Sequence, residues 1–156
     1  MFQTRAATPA DAALIATHRK AMFTAMQSTD ETVLETMRRT CEPWLEQMML
    51  EDKYFGWIVS EGALPVASAG LLILDWAPHP LDPACAQRGY LLNVYVEIDF
   101  RKRGLAHQLV KLCLAEADRR GIRVVTLHAS DAGRPIYEEM GFRTTNEMLY
   151  AKPAEA

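Results

Sequence analysis

The stretch Val94-Tyr95-Val96-Glu97-Ile98-Asp99-Phe100-Arg101-Lys102-Arg103-Gly104-Leu105-Ala106 concentrates the chemistry of this chain. An apolar strand ends, three cations follow, a glycine permits close main-chain approach, and an amphipathic helix begins. The first N–H groups of a helix lack intrahelical partners and carry partial positive charge, a geometry that binds phosphate oxygens. Arg101, Lys102 and Arg103 add charge at the same point. The plain alternative is a solvated basic turn with a helix-capping glycine. GxxxxGK[ST] does not occur, and only Gly104 of a three-glycine dinucleotide fingerprint is present. Nucleoside triphosphates and NAD therefore lose ground to another phosphate-bearing ligand.

A second constellation follows: Ser130, then Tyr137-Glu138-Glu139-Met140-Gly141-Phe142. Together the two segments resemble the GNAT N-acetyltransferase superfamily. Its acetyl-CoA loop has the pattern Arg/Gln-x-x-Gly-x-Gly/Ala, which Arg101 to Ala106 matches, and it usually has Asn seven residues before a Tyr, then a Gly-Phe pair. The motif-bearing region runs from about Tyr90 to Phe142. The resemblance implies a central strand, Tyr90–Val96, that splays from the next, Val124–Ala129. The pantetheine arm of acetyl-CoA would pair with main-chain groups around Val94, Tyr95 and Val96. Its pyrophosphate would sit on the amides of Arg103, Gly104, Leu105 and Ala106, with Arg101 and Lys102 close by. Ser130 replaces the family's Asn; it either bonds the cofactor or caps the following helix. Arg134 meets a CoA phosphate or solvent.

The resemblance also assigns roles. Tyr137 holds the family's general-acid position. A phenol of pKa about 10 stays protonated at neutral pH and can donate to the departing thiolate. Standing beside Ile136, which with Met140 marks the buried stripe of its helix, Tyr137 is expected to face the splay. The amine must be neutral to attack, so a base or a water relay is required. The Glu that some members carry near Tyr90 is missing here. Asn93 is expected to reach the acceptor region and hold a water, while Glu97 and Asp99 read as surface acids. His107, in a first helical turn, and His128, in a buried strand, read as structural.

These residues need elements to hold them. Phe2 to Ala7 reads as a strand, followed by a helix entered at Thr8-Pro9 and running to about Met26. Ser28 and Glu31 have capping-box spacing for a second helix whose stripe is Leu34, Met37, Cys41, Trp44, Leu45 and Met48. Pro43 is expected to kink or divide it. Tyr54–Ser60 and Val66–Trp76 form a hairpin about Glu61-Gly62, and Ala77 to Pro83 is a stiff loop. A helix from about Gly104 to Arg120, a strand at Val124–Ala129, a short helix at Ala132–Met140 and a last strand at Phe142–Lys152 complete the reading. The fold class is α/β: a single domain, 1–156, with a splayed mixed sheet and helices on both faces.

Composition bounds the partners. Lys+Arg 17 against Asp+Glu 20 gives a net charge of −3, too acidic for a sequence-independent nucleic-acid binder. The longest apolar run, Gly70 to Leu74, is too short to cross a bilayer, and Met1 to Arg5 is no signal peptide. Cys41, Cys85 and Cys113 lack metal or disulfide spacing, so no metal is expected and the cytoplasm is the default location. The expected partners are acetyl-CoA as cosubstrate and a small or amino-acid-like amine acceptor, with a homodimer left open. Two alternatives stand beside the enzyme: a non-catalytic acyl-CoA sensor on the same fold, and an acetyltransferase of peptide or protein N-termini. In this fold the acceptor wall comes largely from the first two helices; here that is Phe23 to Thr32, Trp44 and the loop near His79, with no dense acidic patch for a polycation.

Overall fold

The computed structural model describes residues 1–26 and 30–153. The elements are β1 (Phe2–Ala6), a 3-10 turn (Pro9–Asp11), α1 (Ala12–Ala25), α2 (Glu31–Leu50), β2 (Tyr54–Glu61), β3 (Leu64–Asp75), β4 (Gln87–Val96), a second 3-10 turn (Ile98–Phe100), α3 (Leu105–Arg119), β5 (Val125–Thr126) and α4 (Arg134–Glu139). The sheet order is β1-β2-β3-β4-β5. Every pair is antiparallel except β4–β5. A parallel neighbour needs a crossover, and α3 supplies it. The expected mixed sheet with helices on both faces is what forms.

Alternation along the strands builds two cores. On one face α3 lays Leu109, Val110 and Cys113 against Val59, Leu71 and Leu91. On the other, α1 and α2 pack Ile15 and Leu45 against Tyr54 and Leu72. Among the described residues, no helix is long and apolar enough to cross a membrane.

Several local expectations are corrected. Pro43 neither divides nor ends α2. It sits on the exposed side, where the carbonyl it leaves without a donor faces water. Trp44 is 37% exposed, and the buried stripe is Leu34, Cys41, Leu45 and Met49. The N-cap of α2 is Asp30, whose carboxylate accepts from the Val33 N–H at 3.0 Å; Ser28, read as the cap, lies outside the described residues. The strand expected over 124–129 shrinks to Val125–Thr126, because only Gly89 and Tyr90 of β4 pair with it. Phe142–Lys152 forms no strand: past Phe142 it is exposed, and the Thr144 hydroxyl accepts from Arg134 at 3.1 Å.

Candidate functional site

β4 and β5 pair at Gly89↔Val125 and Tyr90↔Thr126 and then part, so β4 presents an open side from Leu91 onward. Which main-chain groups face that side follows from the β3 ladder. Glu97 donates its N–H to the Val66 carbonyl at 2.8 Å, and Tyr95 stands opposite Ser68. Backbone groups alternate in direction along a strand, so Glu97 and Tyr95 turn to β3 while Val96 and Val94 turn to the open side. Tyr95, grouped with its neighbours as a cofactor contact, is thus corrected. Its main chain serves the ladder, its ring lies 5.1 Å from the His18 ring, and its hydroxyl donates to Glu97 at 3.1 Å.

Where β4 ends, the basic loop forms. Lys102 has φ 60 and Gly104, the N-cap of α3, has φ 79. A Cβ on Gly104 would meet nothing within 4 Å, so the space above it is open. Among the described residues, no acceptor meets the main-chain N–H of Arg103, Gly104, Leu105, Ala106 or His107; the helical ladder starts with Gln108 donating to Gly104 at 3.0 Å. These amides and the dipole of α3 form a concave anion cradle. Leu105 anchors it by burying its side chain. The arginines fold onto the loop: Arg101 Nε donates to the Val96 carbonyl at 3.0 Å, and Arg103 Nη2 to the Asp99 carbonyl at 3.1 Å. Arg103 also lies over the Phe100 ring at 5.2 Å. Lys102 is exposed and makes no such bond.

Tyr137 lies on α4, beside this strand–helix unit. Its ring packs on the core beneath α3 and meets Phe142 edge-on at 5.8 Å. The inward residues of α4 are Tyr137 and Met140, not the Ile136 and Met140 pair expected. A Cβ on Gly133 would stand 3.2 Å from both the Tyr137 ring and Ser130 Oγ, so Gly133 lets the two side chains share one neighbourhood. The Tyr137 hydroxyl has no hydrogen-bond partner among the described residues. Burial pushes its pKa up to about 12, which keeps the proton in place at neutral pH. Ser130 takes the capping alternative: Oγ accepts from the Gly133 N–H at 3.1 Å and its carbonyl from Arg134 at 2.9 Å. Arg134 donates to Thr144 at 3.1 Å.

On the opposite face of β4 stands a polar network that the sequence does not reveal. Between Ser68 and Gly70 the register slips, and Asn93 takes φ 57. Asn93 is 1% exposed. Its Oδ1 accepts from Arg19 at 2.8 Å, and its Nδ2 donates to the Tyr54 hydroxyl at 3.1 Å. The expectation of a water-holding amide open to the acceptor is corrected: both ends of the side chain are engaged inside the protein. Tyr54 is wholly buried, with its pKa raised by desolvation, and its ring crosses Gly70 where any Cβ would collide with it. One residue from Arg19, His18 pairs Nδ1 with the Ser68 hydroxyl at 2.7 Å. Burial lowers the His18 pKa, opposed by the charge of Glu97. His128 is exposed rather than buried, with Nδ1 against the Tyr90 hydroxyl.

An opening of about 500 Å³ lies between α1 and α2. Its charges pair among themselves, Lys20 with Glu31 and Glu35, and Arg39 with Glu35. Glu31 and Thr32 of the expected acceptor wall line it, and none of the expected catalytic or cofactor-binding residues does.

Comparison with known proteins agrees with this fold. Residues 24–152 match the family model described as an acetyltransferase (GNAT) domain. A GCN5-related N-acetyltransferase from Ralstonia eutropha JMP134 is 37% identical, with 99% of each chain covered and a TM-score of 0.90. A predicted acetyltransferase from Clostridium acetobutylicum, determined with acetyl-CoA, is 25% identical over 97% of this chain and 96% of that one, at a TM-score of 0.86. The glucosamine-6-phosphate N-acetyltransferase of Arabidopsis thaliana shares the fold at 17% identity, 97% and 98% coverage and a TM-score of 0.67. No curated protein matches the chain.

Proposed function

Because the chain belongs to the GNAT acetyltransferase family, we propose that it transfers the acetyl group of acetyl-CoA to a primary amine of a small or amino-acid-like acceptor by direct attack. The observation that carries this reading is the continuity between the open side of β4 at Val94 and Val96 and the unpaired amides at the start of α3. An extended amide-bearing arm adds to such an edge as a strand does, and a pyrophosphate ends on the cradle. Arg101, Lys102 and Arg103 supply surrounding charge. Arg101 exchanges its bond to the Val96 carbonyl for a phosphate when the arm takes that edge. Ser130 and Arg134 serve by shaping the entry to α4.

The amine nitrogen attacks the thioester carbonyl, forming the new C–N bond and a tetrahedral oxyanion. Collapse breaks the C–S bond, and the electron pair leaves on sulfur. The thiolate takes its proton from the Tyr137 hydroxyl, which is protonated at neutral pH and has no hydrogen-bond partner among the described residues. The proton lost by the amine passes to water, since no carboxylate stands at position 90 and Asn93 is engaged. Asn93 then acts as a positioning residue for the slipped register of β4.

Replacing Tyr137 by Phe tests the assignment. The ring and its packing stay, and only the proton donor goes. A positioned general acid contributes about 10²–10⁴-fold. Thiol release against a panel of amines should fall by that factor while acetyl-CoA affinity, read by calorimetry, is nearly unchanged. Full activity in the Phe variant would exclude Tyr137 as the acid. Binding without turnover in either protein would favour the sensor reading.

A further inference from the structure

The lysines and arginines of α1 and α2 are matched by carboxylates, except at Arg19. Lys20 pairs with Glu31 and Glu35, and Arg38 and Arg39 pair with Glu35. Among the described residues Arg19 has no carboxylate at ion-pair distance. Its partners are neutral: Nη1 donates to Asn93 Oδ1 at 2.8 Å, and the guanidinium lies over the Phe23 ring at 5.1 Å. The side chain is half-buried. A charge held in that position without a counterion is costly. Its Nε and Nη2 donate to nothing among the described residues, and together they form the fork that grips a planar carboxylate through parallel hydrogen bonds.

Arg19 is aimed at the place where the acyl group comes to rest. Opposite Ala69 of β3, β4 inserts both Asn93 and Val94, and the strand bends there. With the pyrophosphate at the start of α3 and the arm paired along Val96 and Val94, the reactive end of the arm comes next to Asn93. Tyr137 stands on the α3 side of the gap, and Arg19 reaches Asn93 from the α1 side. The acid and the guanidinium thus flank the acyl group from opposite faces. An acceptor entering past α1 meets Arg19 as its amine meets the thioester. Tyr54 fixes the arrangement by accepting from Asn93 Nδ2 at 3.1 Å, which turns Oδ1 toward Arg19. Glu97, just after β4, is engaged by the Tyr95 hydroxyl at 3.1 Å and makes no ion pair with Arg19.

We propose that Arg19 binds a carboxylate of the acceptor, so that the substrate is an amine bearing a carboxylate, as in a free amino acid. The inference rests on the acetyl-transfer reading and narrows it to that class of acceptor.

Thiol release from acetyl-CoA with matched acceptors tests it: amino acids, the carboxamides of the same amino acids, and their phosphonate analogues. In the wild type, kcat/KM for the acids should exceed that for the carboxamides by about tenfold to a hundredfold, the worth of a charge-assisted pair. Arg19→Gln, which keeps a donor for Asn93, should bring that ratio close to one while turnover of the carboxamides changes little. Arg19→Lys, which keeps the charge without the fork, should retain part of the preference. A merely structural role would lower both acceptors alike and leave the ratio intact. Carboxamides used as well as acids by the wild type, or a preference that survives Arg19→Gln, overturns the inference and leaves acetyl transfer standing. A preference for phosphonates over carboxylates overturns the carboxylate assignment. No thiol release with any amine, beside acetyl-CoA binding in calorimetry, removes the acetyl-transfer reading and this inference with it.

Discussion

Asn93 is where the fold and the proposed site depend on one side chain. Replacing it by alanine removes the acceptor of Arg19 and the donor to Tyr54. A hydrogen bond to a charged donor is worth about 1.5–3 kcal/mol, and a buried hydroxyl left without its partner costs about 1–3 kcal/mol. The two losses share one residue and do not simply add, so about 3 kcal/mol is expected for the pair. The backbone contributes separately. At φ 57 asparagine and glycine are tolerated, whereas an alanine Cβ crowds the carbonyl. Asn93→Gly should therefore cost about 3 kcal/mol and Asn93→Ala about 1 kcal/mol more. A domain with about 5–15 kcal/mol to lose remains folded in both cases, so each variant can be studied. Urea unfolding with unchanged m-values provides the comparison. The reasoning fails if the alanine variant is as stable as the glycine variant, because the left-handed backbone would then not be held. It also fails if both lie within about 0.5 kcal/mol of wild type, the range of an ordinary surface substitution.

Two further outcomes follow from other parts of the structure. Gly104→Val should lose acetyl-CoA affinity in calorimetry, because the branched side chain fills the open space above the cradle. At φ 79 it should also cost about 1–3 kcal/mol of stability; unchanged affinity would remove the cradle from the proposal. His18 sets a pH dependence. Its folded-state pKa lies below the unfolded value of about 6.5, so its contribution is complete above that pH and is lost as the pH falls below it. Urea midpoints should drop more steeply from pH 7 to pH 5 in the wild type than in His18→Gln, and equal slopes would refute the sign.

Legibility follows range along the chain. The hairpin about Gly62, the buried stripe of α3 and the loop from Arg101 to Ala106 each depend on residues within a few positions of one another. Periodicity and turn chemistry report such neighbours directly. Asn93 meets partners 74 and 39 positions away, and His18 meets one 50 positions away. No pattern in a single sequence signals those contacts. Asn93 therefore read as an open polar group on a strand, when its type is dictated by a left-handed backbone and two buried partners. Tyr95 was misdirected by the same feature: counting along β4 puts Val94, Tyr95 and Val96 together, and only the ladder to β3 shows that the middle one turns away.

Pro43 and the C-terminal segment show the reverse limit, in which a correct local rule meets a context it does not contain. A proline costs a helix one hydrogen bond, but on the solvent side of a twenty-residue helix anchored by Leu34, Cys41, Leu45 and Met49 that loss is outweighed by burial. A run of strand-forming residues specifies a strand only if an edge is there to receive it. Thr145 to Tyr150 carries the propensity, yet among the described residues it pairs with no strand of the sheet.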